Sequence, residues 1–303
     1  MGVVVVLTAF AIVTDGLVYA AYLFLVAVGL TLIFGVMKIL NVTHGSFYAF
    51  GAYGAAIAVG VYFDRGLPAA GGFLLMVLVA MAIGLALGLI LERGLLRLVY
   101  GKDEVVVVLV TYAALLILED VIQLIWGANS YALYQPLSVV GNVDVGPLVL
   151  SGYDIGLVAF AGFLAVAASL ALKHTRWGRL LTVVIFDREL AAAFGINVSL
   201  VYTITFVIGA MLGALGGAVM APKIAVTLGI GVEVIVLAFA VVAIGGMGSV
   251  EGALLGALIV GECRAAAVHL APQIELFVIY AVMALVLVLR PQGLFTRAQP
   301  RKI

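Results

Sequence analysis

The chain is divided into apolar runs of about 16–24 residues, separated by short polar breaks. A helix rises about 1.5 Å per residue, so about 20 apolar residues cross the hydrocarbon core of a bilayer. Hydrophobic residues make up 66% of the chain and charged residues 10%. A water-soluble domain with that balance would expose more apolar surface than water tolerates. Lipid is therefore the solvent, and the function concerns something that crosses or sits in a membrane.

The expected spans are 16–37, 45–62, 68–91, 104–126, 153–172, 199–220, 231–247, 251–268 and 273–289. They imply an all-α polytopic membrane protein with about 8–9 transmembrane helices, some interrupted by glycine, in a single domain over 1–303. The runs are far longer than the roughly ten-residue alternating segments of a membrane barrel. Residues 3–13 form a shorter apolar stretch before Asp15-Gly16, read as an interfacial helix at the outer surface. Small residues recur at close spacing, as in Gly84-Gly88, Gly209-Gly213-Gly217 and Gly252-Gly256, which suits close helix packing.

Net charge is zero, which leaves no electrostatic case for nucleic acid. The positions of the charges carry more information. Twelve of the fifteen Lys and Arg fall at Lys38; Arg93, Arg97, Lys102; Lys173, Arg176, Arg179, Arg188; Arg290; and Arg297, Arg301, Lys302. The stretch from Gln123 to Leu172 has none. Positive charge concentrates in cytoplasmic loops, so these clusters are expected inside and the bare stretch outside. That puts the N-terminus outside and the C-terminus inside. Arg65 and Lys223 are outside exceptions, and Arg264 lies near an outer helix end. Cys263 is the only cysteine, so neither a disulfide framework nor a cysteine metal site is expected. No basic residue precedes the first apolar run, which argues against a cleaved signal peptide.

Two polar segments interrupt the pattern. Residues 127–152 carry Pro, Gly, Asn and β-formers and read as an external cap, with a hairpin around Gly141-Asn142. Residues 173–198 form the longest cytoplasmic loop, where Asp187, Arg188 and Glu189 precede a helix ended by Gly195.

Two breaks have mechanical meaning. Asn41-Val-Thr43-His44-Gly45-Ser46 sits between apolar runs with almost no loop, and Gly245-Gly246-Met-Gly248-Ser249 does the same. Irregular backbone at membrane depth is tolerated only where protein or a water-filled cavity covers it. Paired glycine-interrupted helices are a pointer to a transport pathway. Tight turns between hairpin helices are the plainer alternative. Glu119, Asp120, Glu233 and Glu262 also lie in apolar segments, where a carboxylate is costly. Glu119 and Asp120 read as reaching water near a helix end, and Glu262 as pairing with Arg264 or snorkelling. His44 reads as a hydrogen-bonded structural residue, since His174 and His269 are not at a metal-ligand spacing. No nucleophile–base constellation is visible, and Gly101-Lys102 is followed by Asp103, so no phosphate loop is present. Any ATP would be hydrolysed by another chain.

At these motifs the chain resembles the permease subunits of branched-chain amino-acid ABC importers, of the type designated H. The matching stretches are Gly29–Gly35, Asn41–Gly45 with Gly51–Tyr53, Thr111-Tyr112 with Leu118–Asp120, and Arg176–Arg179. They continue through Asp187–Glu189, Gly195–Asn197, Gly245–Ser249 and Arg290–Leu294. The resemblance implies a non-enzymatic transport subunit in a bacterial or archaeal cytoplasmic membrane, surrounded by lipid. It would share the path with a second permease subunit, as hetero- or homodimer. Two cytoplasmic ATPase subunits would carry ATP-Mg, and an extracytoplasmic binding protein would deliver substrate; this chain itself would hold no cofactor or metal. By resemblance, Asp187, Arg188, Glu189 and Gly195 couple to the ATPases. Asn41, Thr43, His44, Gly45, Ser46, Gly245, Gly246, Gly248 and Ser249 become path or gate elements. Permeases for urea and short amides are an alternative within this class; an ion-coupled secondary transporter, a solute channel and a scaffold are rivals outside it. Thr182–Phe186 is apolar where the family carries a polar stretch: either the loop buries itself against an ATPase, or the chain has been altered from a natural sequence.

Overall fold

The computed structural model describes residues 2–145 and 148–295. The basic cluster Arg297, Arg301, Lys302 lies outside the described residues. The order is α1 Gly2–Met37, α2 His44–Asp64, α3 Ala69–Leu91, a π turn Glu92–Leu96, α4 Arg97–Val99 and α5 Glu104–Trp126. Then follow α6 Gln135–Val140, β1 Asn142–Val145, β2 Leu148–Ser151, α7 Gly152–His174, α8 Arg176–Phe186 and α9 Arg188–Ala193. The rest is α10 Val198–Met220, α11 Ile230–Gly245, α12 Val250–Leu270, a 3-10 turn Pro272–Ile274 and α13 Glu275–Leu289. All nine expected spans correspond to helices. Seven are long and apolar enough to cross a membrane, while Ile230–Gly245 and Phe277–Leu289 are shorter.

Local chemistry sets the ends. Asp103 accepts the Val105 N–H at the start of α5 (2.8 Å), Thr175 that of Gly178 at α8 (3.0 Å), and Asn197 that of Leu200 at α10 (3.0 Å). Each supplies a partner to an amide that a helix start leaves orphaned.

Two expectations need correction. Residues 3–13 are not a separate helix, because α1 runs unbroken for 36 residues. That is about 54 Å, longer than a bilayer core, so its first turns project beyond it. Asp15-Gly16 fails to break it: both fit a helix interior, and Asp15 is held by His269 Nε2 at 2.8 Å. The hairpin exists, but its turn is not at Gly141-Asn142. Asn142 pairs with Ser151 and Val145 with Leu148, so Gly141-Asn142 lies at the open end of the hairpin, and 146–147 lie outside the described residues. Gly141, at φ +70, instead ends α6.

α1, α2, α10, α11 and α12 form the core, with Leu23–Val28 almost wholly buried. α3, α5 and α7 flank it and keep wide apolar faces exposed, for example Leu124, Ile117, Phe163 and Val166. Such faces require lipid. One end of the bundle carries the cap, tied down by Tyr131, which exchanges backbone hydrogen bonds with Val226. Tyr53 stacks on Trp126 there, with ring centroids 5.3 Å apart. The opposite, basic end carries Lys38, Arg93, Lys102, α8 and α9. A second buried cluster underlies it, joining Ile33, Val36, Met37, Phe47 and Leu96 to Leu181, Val184, Ala191, Tyr202 and Phe206.

Candidate functional site

The first break lies inside the bundle. After Met37 the chain turns through Lys38, a non-glycine residue at φ +57, and runs back along α1. His44 Nε2 donates to the Val26 carbonyl at 3.0 Å. Val26 lies eleven residues before the end of α1, about 16 Å along it at the helical rise. The chain therefore re-enters, and α2 begins at mid-depth. His44 fits there because two partner helices lack side chains: a Cβ on Gly29 or Gly213 would lie 2.8 Å from its ring carbon Cε1. Its structural, hydrogen-bonded reading stands.

Thr111 of α5 holds the re-entrant segment. Thr43 Oγ1 donates to the Thr111 carbonyl at 3.0 Å, and Val42 N–H donates to Thr111 Oγ1 at 3.3 Å. The resemblance placed Thr111 and Asn41–Gly45 in separate motifs; the fold brings them together. Four buried polar atoms nearby have no hydrogen-bond partner: both amide atoms of Asn41, His44 Nδ1 and Ser46 Oγ. Thr111→Val removes the acceptor of Val42 and is expected to destabilise the protein by about 1–3 kcal/mol. Thermal unfolding in detergent checks this against Thr203→Val, whose hydroxyl bonds only within its own helix, to Ser199.

α2 and α11 begin side by side. A Cβ on Gly45 would lie 2.1 Å from the Gly231 carbonyl oxygen. Gly229, at φ +86, turns the chain into α11, and the Glu119 carboxylate accepts its N–H. Glu119 is thus a helix cap, while Asp120 and Glu233 are exposed beside it. Glu262 does not pair with Arg264. Arg264 pairs with Glu275 and lies 4.0 Å from the Tyr19 ring centroid, and Glu262 packs against Gly16. The geometric reason is that Glu275, at the start of α13, reaches Arg264 across the α12–α13 turn.

The second break sits at the basic end. Gly246 (φ +103) and Gly248 (φ +89) turn the chain, and Ser249 accepts the Gly252 N–H at 3.0 Å to start α12. Gly35 of α1 packs directly on Gly248. The segment after α13 closes the turn: Leu294 N–H donates to Ile244 and Phe295 N–H to Gly245, each at 2.9 Å. The two breaks are therefore unlike, one at mid-depth and one at an end.

The 173–198 segment folds as two short helices. α8 is amphipathic and resolves the apolar run Thr182–Phe186. Leu181 and Val184 enter the second core, Ile185 is half-buried, and Val183 and Phe186 stay exposed. Asp187 caps α9 by accepting the Leu190 N–H at 2.8 Å, and Gly195 ends it at φ +78. Asp187, Arg188, Glu189, Leu190 and Phe194 are exposed, Phe194 at 75%. The Arg188 guanidinium lies 5.7 Å from the Tyr202 ring centroid.

Sequence reasoning missed Glu92. It is fully buried in the π turn, and one carboxylate oxygen accepts the Tyr100 hydroxyl at 3.0 Å. Burial and the neighbouring Glu92 push Tyr100 well above the usual phenol range, so its hydroxyl stays a donor. Nothing distinguishes Glu92 from the exposed charges beside it in sequence. Among the described residues no group of three His, Cys, Asp or Glu could hold a metal ion.

Residues 12–287 match the family described as branched-chain amino acid transport system / permease component. The chain is 27% identical to the high-affinity branched-chain amino acid transport system permease protein LivH of Salmonella typhimurium, over 96% of this chain and 95% of that protein. It is 28% identical to the corresponding protein BraD of Pseudomonas aeruginosa, over 95% and 96%. It is 26% identical to a probable branched-chain amino acid transport permease protein LivH of Methanocaldococcus jannaschii, over 82% and 78%.

Proposed function

Because the chain belongs to the family of permease components of branched-chain amino acid transport systems, we propose that it is a path-forming subunit of an ATP-driven importer of branched-chain amino acids. The observation that carries this reading is the extent of the match, which takes in both breaks and the α8–α9 segment. In this reading the basic end faces the cytoplasm and the cap faces the binding protein, in keeping with the distribution of Lys and Arg. A second permease subunit completes the path, and two ATPase subunits with ATP-Mg dock at α8–α9.

The geometry suits that work. A zwitterion with an aliphatic side chain needs a mostly apolar route with a few polar points. Asn41, Thr43, His44 and Ser46 supply them at mid-depth, where α2 and α11 begin together. Glycine contacts at Gly45–Gly231 and Gly35–Gly248 leave these elements free of interlocking side chains, so they can slide. The Gly245–Ser249 turn is the hinge at the basic end. Asp187, Arg188, Glu189 and Gly195 shape the docking helix, and ATP-driven movement there shifts the population between inward- and outward-open states.

The test is purification of the chain from its native membrane with its partners, reconstitution into liposomes, and leucine uptake. Uptake that requires ATP and one liganded binding protein is the expected result. A chain that purifies without an ATPase and transports on an ion gradient overturns the reading, and uptake of urea or amides alone overturns the substrate class.

A further inference from the structure

The docking helix and the buried break lie far apart in sequence, yet ring contacts at either end of one turn of α10 join them. Arg188, in the first turn of α9, sits over the Tyr202 ring at 5.7 Å. One helical turn further along α10, the Phe206 ring meets Phe47 edge-to-face, with centroids 5.7 Å apart and planes at 82°. Phe47 in turn meets His44 edge-to-face, at 5.8 Å and 87°. His44 ends the series on the Val26 carbonyl. Phe47, Phe206 and His44 are fully buried, and Tyr202 nearly so.

We propose that Tyr202, Phe206 and Phe47 are positioning residues that transmit movement of the ATPase-docked segment to the re-entrant break at Asn41–Ser46. This rests on the importer reading above. Edge-to-face ring pairs have defined geometry, and a close-packed interior has no slack to absorb a shift. Leu181, Val184 and Ala191 of α8–α9 pack in the same cluster as Phe47 and Phe206. On the far side, a Cβ on Gly213 would lie 2.8 Å from the His44 ring and 3.2 Å from Phe47 Cβ. A push on α9 is therefore passed along α10 to the first turn of α2, where Gly45, beside Phe47, already contacts Gly231. Movement of that turn separates or closes the paired starts of α2 and α11.

Spatial continuity alone does not establish coupling, so the test is a double-mutant cycle on the ATP hydrolysed per leucine imported. The whole reconstituted complex is used, with Phe206→Leu, Phe47→Leu, the double variant, and the ring-retaining Tyr202→Phe. Arg188→Gln, at an exposed position, keeps the test open if a core variant does not fold. We expect binding-protein-stimulated hydrolysis to persist while uptake per ATP falls about tenfold in either Leu variant, the scale of a typical coupling energy. The double variant is no worse than the singles. Tyr202→Phe, which keeps the ring, keeps the parental ratio, and Arg188→Gln does not. Additive losses, or uptake and hydrolysis falling together, overturn the relay. Absence of stimulated hydrolysis in the parent complex overturns the importer reading and the relay with it, and so is distinguishable from failure of the relay alone.

Discussion

A Gly217→Val variant yields no folded, monodisperse protein in detergent, whereas Gly60→Ala is recovered like the parent. Gly217 faces α2 from α10 and Gly60 lies in α2 itself, but they meet different surroundings. A Cβ on Gly217 of α10 would lie 1.9 Å from the Tyr48 carbonyl oxygen and 3.0 Å from the Ala52 amide nitrogen of α2. The approach is reciprocal: a Cβ on Gly51 would lie 2.0 Å from the Ala214 carbonyl oxygen. These are backbone atoms in two helices, so neither can rotate aside. α2 and α10 must separate, and α10 also packs on α1 through Gly209 and on α3 opposite Gly84 and Gly88. Overpacking of this severity costs on the order of 3 kcal/mol or more. It also removes the close contact by which membrane helices associate, since lipid supplies no hydrophobic drive between them. A Cβ on Gly60 meets nothing within 4 Å, so Ala there gains helix propensity without a clash. Size-exclusion profiles and thermal unfolding separate the two outcomes. A Gly217→Val protein with the parental profile and midpoint would show that the α2–α10 approach is not as drawn.

How much of this was legible in the sequence follows from the physics of each signal. Spans were visible because the bilayer sets one length and one polarity. The end of α9 at Gly195 was visible because glycine takes the positive φ that closes a helix. The unbroken α1 was not visible, because Asp15 is compensated by His269, 254 residues away. The paired polar breaks could be found, but not their depths, since depth depends on which helix the segment lies against. His44 on Val26 places one break, and Gly35 on Gly248 places the other. Contacts that join distant motifs were the hardest. Phe295 bonds Gly245 backbone to backbone, and the Thr43 hydroxyl bonds the Thr111 carbonyl, a group every residue carries, so neither pairing can be read from residue type. Glu92 was invisible for a further reason: its burial is created by Tyr100 and the π turn.

If the importer reading holds, Leu190→Glu combined with Phe194→Glu is expected to abolish ATPase association while leaving the permease folded. Both side chains project from α9 and its C-terminal turn, at 50% and 75% exposure, and neither belongs to a buried cluster. The helix itself should survive. Asp187 still caps it, Gly195 still ends it, and Ala191, which anchors it to the core, is untouched. Exposed apolar side chains in a segment otherwise ringed by Asp187, Arg188 and Glu189 are what an interface core flanked by a polar rim requires. Burying a large apolar side chain contributes about 1.5–3 kcal/mol, so two contribute about 3–6 kcal/mol. At about 1.4 kcal/mol per decade, their loss weakens association about a hundredfold or more. Introduced carboxylates add a desolvation cost in the same direction. Co-purification through a tag on this chain reads the effect, with the thermal midpoint of the permease as the folding control. Loss of the ATPases at an unchanged midpoint is the expected result. If they co-purify in the parental ratio, α9 is not where they dock, and the role given to Arg188 falls with it.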